Sequence, residues 1–136
     1  MGKVKPLNSR RYNISGHRFW QLYHFCLQYN EWKDELKYQT DTLKSMQISD
    51  MPGSKTVGDP TEKLVQRRVI LSDQCKLVED TAKEADPEIW EYILKGVTCE
   101  NASYNYLRQI MNIPCGKNYY YEKRRKFFFL LSEKYK

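Results

Sequence analysis

The spacing of apolar residues between positions 15 and 46 constrains the fold more than any other feature of this sequence. Apolar and aromatic side chains recur there at alternating intervals of three and four residues, the pattern of a helix with one continuous apolar seam. A helix of roughly 30 residues is about 45 Å long. A small globule cannot cover that length, so a second helix is expected beside it. The seam consists of Leu22, Phe25, Tyr29, Trp32, Leu36, Gln39, Leu43 and Met46.

The second helix is predicted over residues 60–85. Asp59 is a favourable N-cap, and Pro60 suits the first helical position because its missing N–H would have no partner there. An apolar seam continues along this segment, interrupted by Arg68, which is expected to pair with an acid of the first helix. The simplest packing is an antiparallel hairpin of the two helices, with residues 47–59 as its loop.

The last third of the sequence has the pattern of a helix, a tight turn and another helix. Gly96 is predicted to end one helix as its C′ residue, and Thr98 to cap the next. Asn112 is a second candidate for a left-handed C′ residue, and Pro114 prevents the helix from continuing. A final helix then begins near Lys117. We therefore predict a helix-turn-helix whose last helix enters a DNA groove.

One face of this final helix is predicted to be buried. Arg124 falls on that face, so we expect it to have a structural or phosphate role, with its side chain either extended towards solvent or paired with an acid such as Glu91 or Glu100. The run 127–131 is apolar nearly all round, which implies burial on several sides by the hairpin or by a second subunit. The buried face consists of Tyr120, Phe127 and Leu131 with Phe128 beside it, and is expected to dock on Trp90, Leu107 and Ile110.

The opposite face is polar and aromatic, and its residue types are those that read base edges in a major groove. It presents Asn118, Glu122, Arg125 and Phe129, with Tyr121 flanking them. Lysines on either side are placed to contact phosphates, and Arg108 of the preceding helix is assigned the same role. These lysines are Lys117, Lys123 and Lys126. The alternative is that residues 123–126 are only a solvated basic turn.

Both ends of the sequence are basic. Residues 1–20 contain five Lys or Arg and no acid, and residues 116–136 contain seven against two acids. A chain of this kind suits a polyanion contacted by its two ends, although solubility alone could account for the charge. Residues 1–13 lack periodicity and are predicted to be a flexible basic arm whose Arg10 and Arg11 contact phosphates. The alternative is an overhang without a role.

The sequence contains few features of an enzyme, a metalloprotein or a membrane protein. No spacing suggests a Ser/His/Asp or Cys/His catalytic group, so we expect a binding protein and not an enzyme. The cysteines, Cys26, Cys75, Cys99 and Cys115, form no CxxC pair and are expected to be reduced thiols without a metal or cofactor. No apolar run approaches the roughly 20 residues of a membrane span, and no signal peptide is recognisable. A cytoplasmic location is therefore expected.

Three segments resemble a known family: Ile14 to Trp32, Met51 to Val65, and Val97 to Leu131. Together they are similar to phage transcriptional activators of the RinA/ArpU type, which end in a module similar to region 4 of sigma-70 factors. The resemblance implies an all-α fold and sequence-specific binding to double-stranded DNA that activates late phage genes in a bacterial host. It also makes host RNA polymerase a candidate partner. The recognition positions it implies are Lys117, Asn118, Tyr121, Glu122 and Arg125.

Two functions remain open at this point. One is a transcription regulator with three regions: the arm 1–13, the hairpin 14–85, and the helix-turn-helix module 86–136. The other is a phage DNA-packaging or assembly protein such as a small terminase subunit, which also combines a helix-turn-helix with a helical hairpin. For the regulator we expect a homodimer, because the aromatic seam at Phe25, Tyr29 and Trp32 exceeds what one shorter helix covers. A packaging protein would form a ring.

Overall fold

The computed structural model describes residues 12–48 and 60–135, with the side chains of all these residues except 39–48 and Pro60. This part of the chain is all-helical and contains no strand, which confirms the predicted class. Nearly all of the predicted arm 1–13, including Arg10 and Arg11, and nearly all of the predicted loop 47–59 lie outside it. The helices are α1 (Gly16–Leu27), α2 (Tyr29–Ile48), α3 (Pro60–Ala85), α4 (Trp90–Thr98), α5 (Tyr104–Met111) and α6 (Lys117–Lys134).

The prediction of one continuous helix over 15–46 is wrong at Gln28. Ser15 caps α1, its side chain accepting the N–H of Arg18 at 3.1 Å. At the other end the N–H of Gln28 donates to the carbonyl of Phe25 at 3.2 Å, three residues back, which tightens the last turn and separates α1 from α2. No glycine or proline marks this break, so the sequence pattern runs through it without a signal.

The chain forms two compact units. One unit is Tyr29–Lys76, and the other combines Met1–Gln28 with Leu77–Lys136. These units divide the chain at other positions than the predicted boundary between residues 85 and 86, because α1 belongs with the C-terminal helices and α3 contributes to both units.

The unit Tyr29–Lys76 contains α2 and the first part of α3. Helix α3 begins at Pro60, as its start signal predicts. An ion pair joins the two helices, with Arg67 Nε 2.9 Å from Glu35 Oε2. Among the described side chains it is Arg67, and not the predicted Arg68, that makes this contact; Arg68 lies 100° further round the helix. The buried apolar side chains of the unit are Tyr29, Trp32, Leu71 and Cys75.

The second unit has its core where four helices meet. Helix α1 packs on α4 and α6, and α4 packs on α5 and α6. Aromatic rings fill the contact between α1 and α6: the rings of Phe19 and Phe128 meet edge to face at 5.0 Å, and Phe25 stacks on Tyr135 at 4.2 Å. The largest fully buried side chains of this core are Phe19, Leu22, Ile93, Leu107, Tyr120, Phe127, Phe128 and Leu131.

Gly96 does not end a helix, and Thr98 does not begin one; both predictions are wrong. Helix α4 runs through Gly96 to Thr98, whose hydroxyl donates to the carbonyl of Leu94 at 2.7 Å. Gly96 is required for a different reason: a β-carbon there would overlap the hydroxyl of Tyr120, so only glycine lets α6 approach α4 this closely. The next helix, α5, starts after residue 103.

Candidate nucleic-acid interface

Helix α5 and the connection after it hold the start of α6. Ser103 caps α5, its hydroxyl accepting the N–H of Tyr106 at 3.3 Å. Asn112 has φ 55° and ψ 50°, which confirms the predicted left-handed residue at the end of this helix. The hydroxyl of Tyr104 donates to the carbonyl of Cys115 at 2.7 Å and ties the connection to α5. The first turn of α6 therefore starts from a connection that is hydrogen-bonded at both of its ends.

The residues predicted to read bases all lie in the first half of α6. Lys117, Asn118 and Glu122 are exposed, and Tyr121 and Arg125 are half-buried. Tyr121 packs its ring against that of Tyr120, with the centroids 5.1 Å apart. At 100° per residue, Asn118, Glu122 and Arg125 follow one another along one side of the helix.

The buried face of α6 agrees with the prediction, but one of its expected partners does not. Tyr120, Phe127 and Leu131 are buried, and Leu107 of α5 is fully buried as predicted. Ile110, however, is 65% exposed. Helix α5 turns Tyr104 and Leu107 towards the core. Ile110 lies outside that face because it follows Tyr104 by six residues, which turn the helix by about 600° and leave Ile110 about 120° away from Tyr104.

The predicted phosphate-binding residues occupy three different environments. Arg108 is exposed on α5, and Lys123 and Lys126 are half-buried on α6. The guanidinium of Arg124 lies 5.0 Å from the ring centroid of Phe128, a cation–π contact. None of the ion pairs between described residues involves Arg124, so its expected pairing with Glu91 or Glu100 is wrong.

A hydrogen-bonded group at the start of α6 is absent from the sequence-based prediction. Asp86 precedes α4 and is buried; its Oδ1 accepts the N–H groups of Glu88 at 2.8 Å and Ile89 at 3.2 Å. Its Oδ2 accepts a hydrogen bond from the hydroxyl of Tyr119, in the first turn of α6. The ammonium of Lys123 lies 5.2 Å from the centroid of the Tyr119 ring.

The electrostatics of this group follow from its hydrogen bonds. Burial alone would raise the pKa of Asp86, but the bonds from Tyr119 and from the amides of Glu88 and Ile89, with nearby Lys123, outweigh it and lower that pKa. The bond to the carboxylate raises the pKa of Tyr119 to about 12. Asp86 is therefore ionised and Tyr119 protonated at neutral pH, the arrangement in which the phenol donates.

A shallow cleft of about 450 Å³ lies beside this group. It separates the start of α4 from the connection before α6, and Cys115 lies in its wall. Burial raises the pKa of the Cys115 thiol, so the thiol is protonated at neutral pH and is a poor nucleophile. No group of side chains in the described residues could hold a metal ion. The lining residues are Glu88, Ile89, Pro114, Cys115, Gly116 and Tyr119.

The far end of α6 is held by Arg18, a residue that no sequence pattern singled out. The Nη2 of Arg18 donates to the carbonyl of Ser132 at 3.0 Å and to that of Tyr135. These carbonyls belong to the last turn of α6 and the residue that ends it, where helical partners run out. Arg18 thus caps α6 from another helix, and Lys134 adds an ion pair with Glu84 at 2.7 Å.

Comparison with known proteins gives no family for this chain. No protein-family model, no curated protein and no solved structure matches it. Within the residues that the structure describes, none of the helices has the length and apolar character needed to span a bilayer.

Proposed function

We propose that this protein is a sequence-specific DNA-binding transcription regulator that inserts the first half of α6 into a major groove. One observation carries the proposal: hydrogen-bonding side chains are exposed at the start of a helix whose second half is buried. Lys117, Asn118 and Glu122 supply these donors and acceptors. A helix whose N-terminal turns are exposed and whose C-terminal turns are packed against the rest of the protein can enter a groove about 12 Å wide without losing that packing.

The connection before α6 supports this proposal. Helix α5, residues 112–116 and α6 follow each other as the two helices and short turn of a helix-turn-helix do. Asn112 ends α5 sharply because its left-handed backbone turns the chain away from the helix axis. In this reading α5 lies across the DNA backbone, and its exposed Arg108 contacts phosphate.

The charge at the front of α6 also supports DNA as the partner. Residues 117–126 contain five Lys or Arg and a single acid. Lysines at the edges of the groove would neutralise phosphates, and Arg125 would bond a guanine through O6 and N7. Arg10 and Arg11 would add phosphate contacts from the N-terminal arm.

The wider role rests on the resemblance to RinA/ArpU-type activators. It makes activation of late phage genes in a bacterial cell the proposed outcome of DNA binding, and host RNA polymerase the candidate partner. It also leaves no chemical step for the protein to catalyse.

A homodimer remains part of the proposal, on different grounds from the aromatic seam. Phe25, Tyr29 and Trp32 are buried within the chain, so they offer no surface to a second copy. Helix α3 instead exposes three β-branched side chains, Val65 (47%), Val69 (55%) and Ile70 (53%). Apolar side chains grouped on one helix are typical of a contact between proteins.

Selection from a pool of random duplexes tests the proposal directly. A regulator should enrich a defined motif, and its affinity should depend strongly on salt. If five to seven phosphates are neutralised, the slope of log affinity against log salt concentration should be roughly −5. Recovery of no motif, or an affinity that does not change with salt, would contradict the proposal. Light scattering on the same sample separates a dimer from the ring expected of a packaging protein.

A further inference from the structure

We infer that Asp86 and Tyr119 are positioning residues, which hold Lys123 for contact with a DNA phosphate. The inference rests on the proposed DNA binding and adds two residues to it. Neither residue belongs to the set predicted from sequence, because Asp86 lies 33 residues from Tyr119.

The side chain of Asp86 has a fixed orientation. Asp86 is 5% exposed as a residue, and a buried charge must be compensated by hydrogen bonds. Both amide bonds go to Oδ1, which leaves Oδ2 for the phenol of Tyr119. Because the amides of Glu88 and Ile89 lie at the start of α4, the carboxylate is part of the scaffold and not a mobile surface group.

The carboxylate of Asp86 restrains the ring of Tyr119, which is otherwise exposed. Tyr119 is 44% exposed, so little packing holds its ring in place. A hydrogen bond to a buried, ionised acceptor supplies the restraint that packing does not. The ring lies in the first turn of α6, where the helix would enter a groove.

The ring of Tyr119 in turn holds the side chain of Lys123. Residues 119 and 123 are four apart on one helix and therefore neighbours on its surface. The ammonium of Lys123 lies 5.2 Å from the ring centroid and makes no ion pair with a carboxylate of the described residues. Its N–H groups are therefore available to a phosphate. A lysine already restrained loses less conformational freedom when it binds.

The experiment measures how binding to a random duplex depends on salt, with the full chain. Lys123→Gln should reduce the magnitude of the slope by about 0.9, the value for one phosphate. Tyr119→Leu should move the slope in the same direction and weaken binding about two- to fivefold. In the double variant, Tyr119→Leu should add almost nothing to Lys123→Gln, because the two residues act on one contact.

The matched control is Tyr106→Leu, which removes an exposed tyrosine ring from α5 that has no ring contact or hydrogen bond through its hydroxyl within the described residues. It should leave the slope unchanged. If Tyr119→Leu does not fold, Tyr119→Phe removes only the bond to Asp86 and should give a smaller loss in the same direction, against Tyr106→Phe as its control.

Two results would overturn the inference while DNA binding stands. One is an unchanged slope in the folded Tyr119 variants, which would make the bond to Asp86 a matter of stability alone. The other is a double variant whose losses multiply. If the unchanged protein shows no salt-dependent binding, the proposed function fails, and the inference falls with it.

Discussion

The two halves of α6 have opposite environments although they belong to one continuous helix. In the first half, residues 117–126, Tyr120 alone is buried; in the second, Phe127, Phe128 and Leu131 are all fully buried. The second half meets the aromatic rings of α1, and Arg18 caps its end. The first half instead carries polar and charged side chains at its surface.

This difference separates the residues that determine stability from those available for recognition. Burial of aromatic side chains contributes several kcal/mol each, whereas exposed side chains contribute little. Substitutions of the exposed polar and charged side chains in the first half should therefore change binding and leave the fold intact, and substitutions of the buried side chains in the second half should do the reverse. Four predictions test this separation.

The largest effect is expected in the buried half. Phe127→Ala removes a fully buried ring and should lower the free energy of unfolding by about 3–5 kcal/mol. Urea denaturation followed by circular dichroism measures it. Glu122→Ala, in the exposed half, is the control and should change stability by less than about 0.5 kcal/mol. Equal losses in the two variants would mean that the halves are not distinct.

The next effect concerns the contact between α4 and α6. Gly96→Ala places a β-carbon on the hydroxyl of Tyr120, a buried ring that has little room to move, and should cost about 1–3 kcal/mol. Thermal unfolding provides the measurement. Gly16→Ala is the matched control, since no atom lies within 4 Å of the added carbon and alanine favours a helix. A stable Gly96→Ala protein would show that α6 can shift away from α4.

Recognition should depend on Arg125 and not on its neighbour. Arg125→Ala should weaken binding to the selected site by about 1–3 kcal/mol and change binding to random DNA much less. Lys126→Ala should weaken both about equally, since a phosphate carries no sequence information. Equilibrium binding to the two duplexes provides the comparison. If both variants lose affinity in the same proportion on both duplexes, the residues 123–126 are a basic patch and α6 does not read bases.

The smallest effect concerns pH and the restraint at the start of α6. The folded pKa of Asp86 is lowered, so its bonds stabilise the protein above the unfolded pKa of about 3.9 and are lost as pH falls through the folded value. The stability difference between the unchanged protein and Asp86→Asn should therefore be largest near neutral pH and shrink below about pH 4. Denaturation at several pH values measures it. Asp80→Asn, which replaces an exposed carboxylate on α3, is the control for the substitution itself.

Local patterns predicted those features that depend on local geometry. The start of α3 at Pro60, the left-handed Asn112 and the buried face of α6 all follow from capping, backbone and period rules. Gly96 shows the limit of such rules. Glycine ends helices and also permits close packing, and only the position of Tyr120 distinguishes the two.

The features that the sequence did not reveal depend on residues far apart in the chain. Arg18 caps carbonyls 114 and 117 residues away, and Asp86 accepts from Tyr119 across 33 residues. The exposure of Ile110 likewise depends on which side of α5 the other helices cover. For the candidate site, the exposure of Lys117, Asn118 and Glu122 could be predicted, and the group that holds Tyr119 and Lys123 could not.

The contact between α1 and α6 also has a consequence for the order of events during synthesis. A ribosome makes the aromatic residues Phe19 and Phe25 about a hundred residues before their partners Phe128 and Tyr135. At about 5–20 residues per second, that interval lasts on the order of 5–20 s. Helix α4 is made earlier and can cover part of α1, but the side of α1 that contacts α6 stays uncovered for that time. The core of this unit can therefore be completed only after α6 has left the ribosome.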